Sequence, residues 1–321
     1  MLRWRFWLGL IGALALVSAG GARAQDFPSK PIRLVVGFTP GGPADVPARF
    51  IAERLQARLG QPVLVENKPG AGGMIALNDV LAQPRDGYSL QLCTYFDALN
   101  TVLYKNVSYK LTDIAPVTLI SKYYYLVTLA KSLPADNFDE FISYAKAHPG
   151  KLLYGEVGAG SSQELIAHEL EKTAGIVTVG VPFKGSAQIT QEMLAGRIDY
   201  QVGPPIAVKS FYQSGQLKVV AVTSEERLKD MPEIPTLIER GVNVSTFGWL
   251  GVCAGSGVPK PVIDILNRNI VAIVNSDEYR AFMDKVGNIA VATTPEEFGR
   301  VLIETVDHAE PYIREFHMQI E

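Results

Sequence analysis

The sequence predicts an α/β protein built as two open, mostly parallel sheets in tandem. Short apolar, β-branched runs alternate with segments of helical periodicity along most of the chain. Two glycine-rich turns each follow a strand-like run and open a helix. The 321 residues exceed what one ordinary core organises, so two domains are expected.

The N-terminus is of a different kind. Arg3 and Arg5 precede an apolar, uncharged stretch over 6–17, and a small-residue segment then ends in Ala22-Arg23-Ala24. A basic head, a short apolar core and an A-x-A site read as a secretory signal, residues 1–24, cleaved near Ala24. The apolar core is too short to span a bilayer as a helix, and no cysteine sits at the cut to carry a lipid. The sequence therefore predicts an exported, periplasmic protein whose mature chain starts near Gln25.

The elements follow in order. Residues 32–36 form a β-branched strand. Val46, Phe50, Ile51, Leu55 and Leu59 share one face of a helix over 45–59, which Gly60 stops. A strand at 63–66 leads through Asn67-Lys68-Pro69-Gly70-Ala71-Gly72-Gly73, read as a structural turn, into a helix over 74–82. Pro84, Asp86 and Gly87 break that helix before a strand at 89–93. The grammar then repeats, with strands at 124–129, 152–154, 177–182, 200–202 and 217–223. Helices at 138–147, 161–174 and 187–195 lie between them. The tail from Pro261 is helical, with Val262, Ile265, Leu266, Ile270 and Val271 on one face and a further helix over 295–306. No low-complexity linker separates the two sheets, so the chain is expected to cross between domains on strands, as two-domain clamshells do. The expected division is 25–125 plus 246–321 as one discontinuous domain and 126–245 as the other.

Composition excludes several classes. The chain has 30 basic and 33 acidic residues; loss of Arg3, Arg5 and Arg23 leaves 27 basic residues and a net charge of −6. Such a surface is not built to coat nucleic acid, and any anion site must be local. His148, His168, His308 and His317 are scattered, with neither i,i+4 pairing nor a nearby cysteine, so neither a metal site nor a cofactor is expected. Cys93 and Cys253 end apolar, strand-like runs, where a cysteine is usually a small buried hydrophobe. They read as two free thiols, with a disulfide as the alternative in an exported protein.

The chemistry is expected in the strand-to-helix loops, where ligands of open α/β sheets bind. The first is Gly37-Phe38-Thr39-Pro40-Gly41-Gly42-Pro43-Ala44-Asp45. Its glycines turn backbone N–H groups toward a ligand and the helix start adds positive dipole, so a carboxylate could be held without a basic side chain. It lacks the Gly-Lys-Ser/Thr end of a P-loop, and it reads equally as a Pro-Gly turn with Asp45 as an N-cap. The second loop runs from Tyr154 and Gly155 through Gly158, Ala159 and Gly160 to Ser161 and Ser162, whose hydroxyls can cap the next helix. Gly42 and Gly160 are expected at positive φ, where a β-branched residue would be strained. Two anion-competent loops, one per sheet, fit one ligand held from both sides.

These loops belong to a longer ordered series. It continues with Glu66 through Gly73, Asp86-Gly87-Tyr88, Val181-Pro182-Phe183-Lys184-Gly185-Ser186-Ala187, Ala221-Val222-Thr223-Ser224 and Met231-Pro232-Glu233-Ile234-Pro235-Thr236. The series resembles the Bug-type solute-binding proteins of the tripartite tricarboxylate transporter family, over nearly the whole mature chain. The resemblance implies a type II periplasmic-binding-protein clamshell. It also implies a carboxylate bound by backbone N–H groups, hydroxyls and bridging waters from both domains, and delivery to membrane transporter subunits. By the match, the ligand-binding residues are Phe38, Pro40, Gly41, Gly42, Ala44 and Asp45 in the first loop and Gly158, Gly160, Ser161 and Ser162 in the second. Lys184, Gly185 and Ser186 match before the next helix, and Trp249 matches before the return strand.

Departures from the family pattern bear on the ligand. Glu164 stands where a histidine is common. Gly203-Pro204-Pro205 stands where Asp-Asn is common. Thr94, Tyr95 and Phe96 replace small residues. Glu164, Gly203, Pro204, Pro205, Thr94, Tyr95 and Phe96 are therefore expected to shape the far end of the cleft. The aromatic pair suits a flat or aromatic carboxylate, with aliphatic dicarboxylates as the alternative. Trp249 also reads as core, Lys184 as a surface charge, and of Tyr123, Tyr124 and Tyr125 only one strand face can meet a ligand. Two other functions compete with this reading. A serine hydrolase is disfavoured because the segment ending in Ser161-Ser162 is not a Gly-x-Ser-x-Gly elbow. A sensor presenting its ligand to a receptor such as a sensor kinase differs only in its partner. The chain is expected to be a monomer and not an enzyme.

Overall fold

The computed structural model describes residues 27–158, 161–315 and 318–320. The expected signal segment and Gly160 lie outside the described residues.

From the first described residues the chain runs through β1 (Ile32–Val36), α1 (Asp45–Leu59), β2 (Val63–Asn67), α2 (Met74–Leu81), β3 (Ser89–Thr94), α3 (Tyr95–Leu103) and β4 (Ile114–Tyr124). It crosses at Tyr125 into β5 (Leu126–Ala130), α4 (Phe138–Ala147), β6 (Leu153–Glu156), α5 (Ser162–Ala174), β7 (Val179–Pro182), α6 (Ser186–Leu194), β8 (Tyr200–Gly203), α7 (Pro205–Gln213) and β9 (Leu217–Val222). It returns as β10 (Phe247–Gly255), α8 (Lys260–Val274), α9 (Asp277–Val286), β11 (Ile289–Ala290) and α10 (Pro295–Glu315). The first sheet has the order β11-β4-β10-β3-β1-β2 and the second β7-β6-β8-β5-β9. β1 pairs in parallel with β2 and β3, and β6 with β7 and β8, whereas β10, β11 and β5 run antiparallel to their neighbours.

Local chemistry explains why these segments fold as they do. Gly60 ends α1 in the left-handed region at φ 69, which costs glycine little. Asn137 caps α4 by accepting from Glu140 N, with Asp139 and Glu140 in the first turn. Each sheet has its own core. Ile32, Leu34, Ile51, Leu55 and Leu266 pack in the first; Tyr125, Val127, Phe141, Leu170 and Tyr200 pack in the second.

Two helices and one long strand go beyond the sequence reading. α3 carries buried Asp97 and Asn100 on its inner side, so no polar face marks its period. α7 opens at Pro205 after Pro204, a pair that reads as loop although proline suits a first helical turn. In β4, Pro116 and Lys122 interrupt the apolar pattern, while pairing to β10 holds the strand in place. The expected strand over 124–129 is divided at Tyr125.

That division is one of two places where the chain passes between the sheets; the other lies between Val222 and Phe247. Thr223 joins them. Its Oγ1 accepts from Tyr125 N at 2.9 Å and donates to Thr246 O at 2.7 Å. Its backbone N–H donates to Tyr125 O, and its carbonyl accepts from Thr246 N.

The cysteines correct the sequence reading. Cys93 and Cys253 form a disulfide, with Cα atoms 5.8 Å apart. They are 160 residues apart in sequence, so only the sheet topology reveals their proximity. Antiparallel pairing sets Gly251 opposite Cys93 and Cys253 opposite Gln91, which makes the cysteines diagonal neighbours within disulfide range.

Candidate ligand-binding site

A cavity of about 50 Å³ lies between the two sheets, a volume to be set against the roughly 10–15 Å³ that one water requires. From the first domain, Phe38, Thr39, Gly42, Pro43 and Ala44 line it, together with Thr94, Tyr95, Phe96, Tyr123 and Leu250. From the second come Val157, Gln163, Gly185, Ser186, Ala187 and Pro204. The two sides approach closely: a Cβ added to Gly185 would stand 3.4 Å from Thr39 Oγ1.

Among the described residues, five helices begin at this cavity. Ala44 precedes α1, Thr94 precedes α3, Gln163 is in the first turn of α5, Gly185 precedes α6 and Pro204 precedes α7. First-turn N–H groups have no acceptor within their own helix, and each helix start carries about half a unit of positive charge. The cavity is therefore electropositive although no described residue lining it is Lys, Arg or His. Gln163 Oε1 is buried without a hydrogen-bond partner, and the residue is only 5% exposed. Its amide is a neutral polar group available to a ligand.

The first loop is held in shape from behind. Asp45 is the first helical residue, not the cap, and is buried. Its carboxylate accepts from Gly41 N at 2.8 Å, Arg49 Nε at 2.8 Å and Asn67 Nδ2 at 2.8 Å. Asn67 Nδ2 also donates to Phe38 O. Burial opposes ionisation of Asp45, but the bonds from Arg49, Gly41 and Asn67 outweigh it and hold the carboxyl below its ordinary range. Positive φ falls at Gly41, at 75°, and not at Gly42. Gly42 matters for space: an added Cβ would sit 3.2 Å from Thr39 O.

On the second side, Ser161 caps α5 by accepting from Glu164 N at 3.1 Å. Ser162 Oγ is buried and faces the phenols of Tyr95 and Tyr125. Ser162 and Tyr95 also border a second cavity of about 260 Å³ between α5, α10 and the crossing segment at 243–246. Burial pushes the Tyr95 hydroxyl well above its ordinary value, so it stays a neutral donor.

Of the residues expected from sequence, Phe38, Gly42, Ala44, Thr94, Tyr95, Phe96 and Gly185 line the cavity. Pro40 and Gly41 form an exposed turn outside it, Asp45 stands behind the loop, and Lys184 points to solvent. Gly158 and Ser161 shape the second loop, and Gly203 ends β8 just before Pro204. Trp249 is a correction. Its ring packs edge-on against Phe298 in the first domain's core and its Nε1 donates to Thr305 Oγ1, because the register of β10 turns that side chain away from the cleft. Glu164 is likewise absent from the lining and sits beside His168 on α5. Ser186, from the Lys-Gly-Ser match, and Pro204, from the Gly-Pro-Pro departure, also line the cavity. Sequence reasoning missed Gln163, which directly follows Ser162, so the first turn of the following helix was the signal to extend.

Two sheets joined by two crossing segments, with a cleft between them, define a type II periplasmic-binding-protein clamshell. The chain belongs to the tripartite tricarboxylate transporter receptor family: the family model described as "Tripartite tricarboxylate transporter family receptor" matches residues 47–318. It is thus a solute-binding protein of a periplasmic family and not an enzyme. Protein BugT of Bordetella pertussis is 30% identical over 312 residues, covering 96% of this chain and 95% of BugT. Among solved structures, R. palustris Rpa4515 with adipate has a TM-score of 0.87 at 30% identity, covering 90% of this chain and 98% of that one. MatC from Rhodopseudomonas palustris with bound malate has a TM-score of 0.84 at 26% identity, covering 89% and 100%.

Proposed function

We propose that this protein captures a small carboxylate in its interdomain cleft, in the periplasm, and delivers it to the membrane subunits of a tripartite tricarboxylate transporter. The observation that carries this reading is the convergence of five helix starts on one cavity without a cationic side chain. Such a site stabilises a compact anion through backbone N–H groups, which also impose direction. The adipate and malate bound to the two R. palustris relatives agree with that chemistry. The working unit is a monomer with domains at 25–125 plus 246–321 and at 126–245, exported after cleavage near Ala24.

The test is a thermal-shift screen of carboxylates followed by calorimetry on matched acid and amide forms of each hit. The acid should stabilise the protein by about 2.7 kcal/mol at a hundredfold excess over Kd, and the amide should not bind measurably. Equal affinity for the two forms would overturn the reading.

A further inference from the structure

The five helix starts do not offer equal numbers of donors, and the difference runs across the cavity. At one pole, the loop before α1 meets the loop before α6, with Thr39 and Gly185 in near contact. This pole is lined by Thr39, Ala44, Gly185, Ser186 and Ala187, each of which has a backbone N–H, and Thr39 and Ser186 add hydroxyls.

The wall at the start of α7 is poorer in such donors. α7 begins with Pro204 and Pro205, neither of which has a backbone N–H. α3 begins with a reciprocal cap, in which Thr94 accepts from the third helical N–H and Asp97 accepts from Thr94 N at 2.7 Å. The surrounding surface is apolar: the Phe38 and Phe96 rings lie 5.7 Å apart, and Tyr123, Leu250 and Val157 complete it. Gln163 adds one neutral amide.

We infer that the cleft is built for a monocarboxylate with an apolar body, and that Pro204 and Pro205 exclude a second carboxylate by withholding the donors it would need. The inference rests on the carboxylate reading of the cleft and narrows it. A second anionic group pressed against this wall would lose its hydration without regaining hydrogen bonds, which is costly beside an apolar surface.

Calorimetry on the full mature chain tests this with two matched pairs, benzoate against terephthalate and hexanoate against adipate. Each monoacid should bind at least tenfold more tightly than its diacid. In Pro204→Ala/Pro205→Ala, which restores two N–H groups at the start of α7, that ratio should narrow severalfold while a thermal melt shows an intact fold. Diacids binding as tightly as monoacids to the wild type would overturn the inference and leave the carboxylate reading standing. A wild-type preference that the double variant does not narrow would overturn the role of the prolines. Failure of all four acids, with no other carboxylate recovered by the thermal screen, would overturn the carboxylate reading itself.

Discussion

Asp45 shows how a residue can govern a ligand that it does not touch. Its carboxylate gathers Gly41, Arg49 and Asn67 behind the first loop, and so fixes where the loop's N–H groups aim. Asp45→Asn would replace one acceptor oxygen with a donor and lose charge-assisted bonds worth roughly 1.5–3 kcal/mol each. Part of that loss should appear as binding: about tenfold weaker affinity for a carboxylate that the wild type binds, equivalent to about 1.4 kcal/mol. Calorimetry beside a thermal melt checks it, and unchanged affinity in a folded variant would show that the loop holds its shape unaided. The sequence marks this loop through Pro-Gly-Gly-Pro-Ala-Asp, yet it does not separate the residues that face the cleft from those that brace it. Sequence leaves Trp249 between core and cleft for the same reason. Which face an aromatic residue of a strand presents depends on the pairing of β10 with both β3 and β4, and that register is non-local.

At the scale of elements, α5 carries a pH dependence. His168 stands one turn after Glu164 and close to Glu171, with contacts of 3.6 and 3.2 Å. Those carboxylates push the imidazole up to about 9. A histidine whose folded value exceeds its unfolded one of about 6.5 contributes stability that is complete below 6.5 and lost as pH rises through 9. Glu156, pushed up to about 7 by burial and then by Glu164, adds a loss of the same sign over a lower window, from its ordinary value near 4.5. The melting midpoint should therefore fall between pH 6.5 and 9, and His168→Gln should flatten that slope. An identical slope in the variant would rule out the histidine as its source. Elements such as α1 and α4 were legible because a clear apolar period meets a stop signal. α3 and α7 were not, because one is buried without a polar face and the other starts on a proline pair that reads as loop.

For the whole molecule, the two domains are tied at several points besides the crossing segments. Lys209 on α7 is buried and donates to Asp284 O on α9 at 2.9 Å and to Asp230 at 2.6 Å. Gly287, just after α9, lies so close that a Cβ there would stand 2.7 Å from Pro205 Cβ. Lys172 on α5 pairs with Glu315 on α10. A ligand held from both sides favours whichever arrangement these ties support, so weakening them should weaken binding. Lys209→Met is expected to raise Kd by three- to tenfold and to enlarge the ligand-free radius of gyration measured by small-angle scattering. A variant with wild-type values for both would show that the cleft is set without this tie. Two sheets in tandem were legible because strand and helix patterns alternate twice. The disulfide and these ties were not, since each joins residues that only the folded topology brings together.

Thr223 gives the joined domains a mechanical character. A single tether would let one domain swivel freely. Two tethers bonded to the same threonine, through its side chain and its backbone, behave like the two pins of a door. Rotation about the line through them stays easy, while twisting and sliding would break hydrogen bonds. Motion is thus expected to follow one coordinate, so that a single angle would tell an open cleft from a closed one.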